Sequence, residues 1–175
     1  DSIHTYTIND NDDTPTIDFN TSSSSGAESV SSKAITVDLS GPSGEIVTVD
    51  YAVTGSATGS GGDYTFENGT LSIAAGDTTG TIIIANIVDD TIDETDETVI
   101  VTLSSPSNAS LGSDKVHTYT ITDDDDQPEI SFNVTTSSGS ESISSTAITV
   151  NLSSASSNDI TVNYAVSGSA IGSGT

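Results

Sequence analysis

The stretch HTYTITDDDDQPEISFN, residues 117–133, sets alternating polar and apolar residues on either side of four consecutive aspartates, Asp123 to Asp126. Nearly the same string, HTYTINDNDDTPTIDFN, occupies residues 4–20, 113 positions earlier. At that offset the chain aligns with itself without a gap, and 38 of the 62 paired positions are identical. SSGAESVSSKAITVDLS (24–40) meets SSGSESISSTAITVNLS (137–153), and VTVDYAVTGSATGSG (47–61) meets ITVNYAVSGSAIGSG (160–174). A period of this length is that of a β-sandwich domain, too long for a solenoid repeat, so the chain reads as a tandem array. With the proline after each acidic run as a boundary, residues 1–13 are the closing strand of a preceding module. Residues 14–126 form a complete module, and 127–175 begin a following one. The window therefore reads as part of a longer array. The linkers "TP" and "QP" are too short for a flexible tether, which predicts a stiff rod.

Within the complete module, apolar residues alternate with polar ones at Ile17 and Phe19, and at Ile35, Val37 and Leu39. The same holds at Val47, Val49, Tyr51 and Val53, and at Val99, Val101 and Leu103. Period-two alternation puts one strand face in a core and the other in water. GTLSI (69–73) follows Asn68-Gly69, a favoured hairpin turn pair, and TGTIIIANIV (79–88) reads as a longer, more buried strand. HTYTIT (117–122) closes the module, while the serine-rich SSSSG (22–26) reads as a mobile loop. No helical period is present. The fold class is all-β: tandem antiparallel, immunoglobulin-like sandwiches of about seven strands each.

Composition narrows function. Twenty-six acidic residues against two lysines give a net charge of −24. That surface disfavours nucleic-acid phosphates and anionic membranes, which need basic patches, and favours cations. High charge can also mean disorder, but disordered chains rarely show such ordered alternation. There is no cysteine, hence no disulfide framework or thiolate metal site, and no apolar run of membrane-spanning length. Neither a signal peptide nor an initiator Met is present, and abundant Ser, Thr, Asn and Gly resembles secreted surface proteins.

The acidic residues cluster where strands end. VDDTIDETDE (88–97) lies between two strands and carries Asp89, Asp90, Glu94 and Glu97. Glu28 stands in GAES after the first strand, and Asp63 in GGDY at a strand start. All are hard oxygen donors. Calcium takes six to eight such oxygens with flexible geometry, whereas magnesium keeps its waters and zinc wants His or Cys. The alternative is a solvated acidic surface that serves solubility.

Taken together and in order, GGDY (61–64), GTLSIAAGD (69–77), IVDDTIDETDE (87–97) and YTITDDDD (119–126) resemble the Calx-beta family across the complete module. That family occurs in regulatory domains of sodium–calcium exchangers and in tandem arrays of bacterial surface proteins. The resemblance implies Ca2+ as cofactor, held at one pole by Glu28, Asp63, Asp89, Asp90, Glu94, Glu97, Asp123, Asp124 and Asp125. It places those ions near the next module, where they would stiffen the junction and let the four aspartates tolerate one another. In the preceding module's tail the run reads Asp10, Asn11, Asp12, which loses the middle charge and implies a weaker site. The third module offers Glu141 alone. Asp93, Asp96 and Asp126 are expected to point outward.

Other constellations carry less. Sequons at Asn20, Asn68, Asn108, Asn133 and Asn151 are glycan candidates, as are the serines, in a chain where several arise by chance. His4 and His117 are repeat equivalents expected as packing or edge residues. Lys33 faces Thr146 in the repeat, so an isopeptide bond is not general to the array. No nucleophile–base pair is present, the carboxylates form runs rather than an isolated pair, and 5% aromatics argue against a sugar-stacking cleft. The expectation is therefore no enzyme. It is an extracellular, cell-surface structural protein (a stalk, adhesin shaft or filament) whose partners are adjacent modules and possible like chains. A calcium-sensing regulatory domain and a glycan- or receptor-binding adhesion module are the alternatives.

Overall fold

Among the described residues thirteen strands arise, some where that alternation predicts them and several where it does not. In the computed structural model, which describes residues 2–9 and 11–169, they are β1 (Thr16–Phe19), β2 (Ser23–Ala27), β3 (Ser32–Leu39), β4 (Val47–Gly55), β5 (Gly69–Ile73), β6 (Thr79–Ala85) and β7 (Ile92–Asp93). Then follow β8 (Glu97–Ser107), β9 (Ser110–Leu111), β10 (Val116–Thr122), β11 (Ile130–Phe132), β12 (Val150–Leu152) and β13 (Ala155–Ser156). The chain divides into two units: one runs through Asp90 and resumes over Thr95–Asp124, the other joins Thr91–Glu94 to the residues from Asp125 onward.

The first unit is a sandwich of a four-stranded sheet, β6-β3-β1-β9, and a five-stranded sheet, β2-β10-β8-β4-β5. The inward members of each alternating strand form one core: Ile17, Val37, Val49, Val99, Val101 and Tyr119 are each fully buried. Burying a Val- or Ile-sized side chain contributes about 1.5–3 kcal/mol, so this set dominates the unit's stability.

Two ladders of this unit are parallel. The chain leaves the four-stranded sheet after Phe19 and joins the five-stranded one at Ser23, so β2 runs parallel to β10, with Ser23 opposite Thr118 and Ala27 opposite Thr122. β9 likewise lies parallel to β1. The stretch expected as a mobile serine loop is thus a strand. Its order comes from backbone pairing and from His117, which is 1% exposed. Because a carbonyl can only accept, His117 Nδ1 donates to Thr21 O at 2.6 Å. Its Nε2 then accepts from Ser24 Oγ at 2.8 Å. The packing role expected of His117 is what the structure gives.

Gly26 is required by Tyr119. A Cβ on Gly26 would lie 2.5 Å from the Tyr119 hydroxyl and 3.5 Å from the ring carbon bearing it. That hydroxyl is itself buried with no hydrogen-bond partner among the described residues. Gly26→Ala is expected to cost about 1–3 kcal/mol by overpacking. Tyr119→Phe removes an unsatisfied buried group and should stabilise by about 1 kcal/mol. In the double variant the clash is gone, so urea midpoints should show Gly26→Ala largely rescued. Additive effects would contradict this geometry.

Three local readings change. Asn68-Gly69 does not form a two-residue hairpin, since β4 ends at Gly55; instead Asn68 Oδ1 accepts the Val53 N–H at 2.7 Å. β6 stops at Ala85 because Asn86 turns left-handed (φ 52°), although Ile87 remains buried. Of residues 1–13, expected as a closing strand, the described ones, 2–9 and 11–13, form no strand. In the complete module that strand, β10, is paired to β8.

In the second unit β11 pairs with β12, and β7 pairs in parallel with β13. Ile130 and Phe132 are 39% and 61% exposed, whereas their repeat equivalents Ile17 and Phe19 are 0% and 3%. The alternation is identical, but Ile17 and Phe19 share one core with buried residues of β3, β6, β8 and β10, whereas β11 is paired only with β12 among the described residues.

Candidate metal centre

The β2–β10 ladder places the acidic residues. Its last pair is Ala27 and Thr122. Beyond it the Glu28 N–H donates to Thr122 O at 3.1 Å, so Glu28 and Asp123 both leave the sheet at the same end. A turn, Val30 N–H to Ala27 O, then points Ser29 back, and its hydroxyl donates to Asp124 Oδ2 at 2.9 Å. Asp89 arrives from the connection after β6, which is held by Ile87 N–H to Ser31 O and Val88 N–H to Asp63 O.

These constraints bring one carboxylate oxygen each from Glu28, Asp89 and Asp124 within 4.8 Å of one another. Glu28 is buried at 7% exposure, while Asp89 and Asp124 are exposed. Asp123 is half-buried. Its backbone N–H donates to Asp96 Oδ1 at 3.2 Å, and its Oδ1 is shielded from solvent with no hydrogen-bond partner among the described residues. Like charges at such separations repel strongly where water is partly excluded. An oxygen-only donor set with a buried, unsatisfied acceptor fits a hard divalent cation, calcium above all.

The remaining sequence candidates are not all brought to this point. Asp63 is not in that group. Its carboxylate accepts the Thr58 N–H and its own N–H donates to Thr58 O at 2.9 Å, so it closes its own loop. Asp90 is exposed next to Asp89, and Glu97 opens β8 opposite Ile121. Glu94, Asp125 and Glu141 belong to the second unit. Asp12 is exposed, and Asp10 lies outside the described residues. Asp126 is exposed as expected, but Asp93 and Asp96 are not free outward charges. Asp96 accepts from Asp123, and Asp93 is 9% exposed with Ser156 Oγ donating to its Oδ2 at 2.6 Å. No signal in the sequence separates these two from their neighbours, since the distinction depends on which backbone donors the fold brings to them.

Burial, and secondarily the Asp63 carboxylate, raise the Tyr64 phenol above its ordinary value of 10.0. Burial does the same for Tyr119. A raised phenol keeps its proton in the folded state after the unfolded chain has released it. The stability this confers is complete below pH 10 and lost as pH climbs above it. Urea midpoints should therefore fall as pH rises above 10, and fall less steeply in Tyr64→Phe.

A family model described as the Calx-beta domain matches residues 10–125 and again 123–175. No curated protein matches the chain. Among solved structures, the calcium binding domain CBD12 of CALX1.1 is 25% identical with a TM-score of 0.58, over 67% of this chain. This chain spans about half of that structure, 48% of its length. The apo-form Calx CBD1 domain is 24% identical (TM-score 0.57), covered in full by 65% of this chain. The Calx CBD2 domain, 16% identical (TM-score 0.54), pairs 60% of this chain with 84% of its own. The last two establish the sandwich alone.

Proposed function

This chain belongs to the Calx-beta family, and from that membership we propose that it is a Ca2+-binding segment of an extracellular tandem-repeat protein, a stalk, adhesin shaft or surface filament. The observation that carries calcium is the convergence of Glu28, Asp89 and Asp124 at the end of the β2–β10 ladder. Asp123, with its buried unsatisfied oxygen, is the fourth donor we assign to the site. Asp90, next to Asp89 in sequence, and Glu97, opposite Ile121 on the neighbouring strand, are secondary candidates. Bound calcium would supply charge neutralisation; the chain's own work is to hold the carboxylates together and to keep Glu28 dry.

The structural role rests on the repeat itself. Copies 113 residues apart, with 38 of 62 aligned positions identical, suit a spacer better than a specialised sensor. The proposed units are residues 14–126 and the repeat starting at 127, with 1–13 as the end of an earlier one. Adjacent modules are the partners this reading assigns. Glycans are secondary, because the side-chain amides of Asn20 and Asn108 already donate to Asp38 Oδ2 and Ile46 O. No catalytic role is assigned. A regulatory calcium sensor is the second reading, favoured by the likeness to the tandem calcium binding domain.

Isothermal titration of the chain with Ca2+, against Mg2+, tests the proposal. Calcium-selective heat saturating near millimolar supports the extracellular spacer, and micromolar saturation supports the sensor. Absence of calcium heat returns the acidic runs to solvated surface.

A further inference from the structure

Asp124 is exposed, and among the described residues the Ser29 hydroxyl is the one group that donates to its carboxylate, at 2.9 Å to Oδ2. That donor is itself fixed by the chain on either side. Glu28 N–H donates to Thr122 O at 3.1 Å, and Val30 N–H closes the turn on Ala27 O at 3.1 Å. One turn thus presents a carboxylate of the cluster, Glu28, and beside it the hydroxyl that holds another. The backbone ahead of Asp124 is anchored separately, because Asp123 N–H donates to Asp96 Oδ1 at 3.2 Å. That anchor leaves the Asp124 side chain able to rotate, and Ser29 is placed to stop it. A carboxylate offers about four acceptor positions, so one bond from a hydroxyl leaves the others for a cation.

The same Glu–Ser pair recurs at Glu141–Ser142, where the Ser142 hydroxyl lies 2.8 Å from that of Ser140. The repeat equivalent of Ser140 is Ala27, so in the complete module no hydroxyl at that position competes for Ser29.

We propose that Ser29 is a positioning residue of the calcium site: it holds Asp124 in the rotamer that faces Glu28 and Asp89 before any ion arrives. A free surface carboxylate would have to be ordered on binding, at a cost in affinity, whereas here the folded chain has already ordered it. The inference rests on the calcium reading above. It adds a determinant that carries no charge and touches the ion only through Asp124.

The test uses the whole chain, with Ser29→Ala and Ser29→Thr. Side-chain couplings measured by NMR in chelator report the Asp124 rotamer with no ion bound. The parent should show one rotamer, Ser29→Ala several, and Ser29→Thr, which keeps the hydroxyl, one again. In Ca2+ titrations Ser29→Ala should bind about tenfold more weakly and Ser29→Thr within about twofold of the parent. Hydrogen exchange at the Val30 amide should match in all three, since backbone groups close that turn. Parent-like binding by Ser29→Ala overturns the proposal and leaves the calcium site standing. So does weaker binding with the Asp124 rotamer unchanged, which would make the hydroxyl a ligand, or a prop of the turn if Val30 exchanges faster. Absence of calcium binding by the parent overturns the site and the proposal together.

Discussion

Thermal unfolding of the parent chain should shift upward by about 10 °C at a hundredfold excess of Ca2+ over Kd, and Glu28→Gln should remove most of that shift. A ligand that binds only the folded state stabilises it by RT ln(1 + [L]/Kd), roughly 2.7 kcal/mol at that excess. The variant is informative because its effect should change sign. In chelator, Glu28 is a 7%-exposed carboxylate facing Asp89 and Asp124, so replacing it by a neutral isostere relieves repulsion and raises stability. In calcium, the same replacement removes a charged oxygen donor. A Glu28→Gln curve that lies above the parent in chelator and below it in calcium is the expected pair. A variant that is destabilised equally in both conditions would mean that Glu28 is only a packing residue, and would remove the site.

Gly55→Ala should be the most damaging single methyl addition in the chain. Gly55 closes β4 opposite Val99 with φ +140°, a conformation L side chains rarely adopt. A Cβ there would run into the carbonyl oxygen of Thr98, which is backbone and cannot swing aside. That same carbonyl accepts the Ala57 N–H at 3.1 Å, and Thr98 N–H donates to Ser56 Oγ at 2.9 Å. Relief of the clash therefore disturbs a hydrogen-bonded corner on the longest strand of the core. Backbone strain of about 1–3 kcal/mol adds to the steric term, so a loss of about 3 kcal/mol or more is expected in urea unfolding. The repeat equivalent, Gly168, has φ +146° although it lies in no strand, which indicates that the turn is written locally. A loss below about 1 kcal/mol in Gly55→Ala would show that the β4 end yields easily.

The elements the sequence announces are those whose information is local. Alternation of Ile, Val and Leu finds β1, β3, β4 and β8 because one buried face is enough to define a strand. β2 could not be found this way. Ser23 to Ala27 contain no large apolar residue, and their strand geometry comes from β10 and from a histidine 93 residues away from Ser24. The site shows the same division. Carboxylate-rich strand ends announced a cation, but the sequence could not tell Asp124, which joins Glu28 and Asp89, from Asp63, which spends its oxygen on Thr58. Nor could it tell Asp93 and Asp96 from exposed charges. Those distinctions depend on which N–H and O–H groups the finished fold directs at each carboxylate.

The parallel alignment of β2 and β10 has a mechanical consequence. β2 lies near the start of the complete module and β10 near its end, and five register pairs join them, from Ser23–Thr118 to Ala27–Thr122. When tension is applied to the two ends of the module, these strands are drawn lengthwise in opposite directions, so the five pairs are loaded together. An antiparallel hairpin pulled from its open end would instead rupture one rung at a time. Glu28 and Asp123 sit just past the final rung, where a shared cation would pin the two strands at the point where sliding must begin.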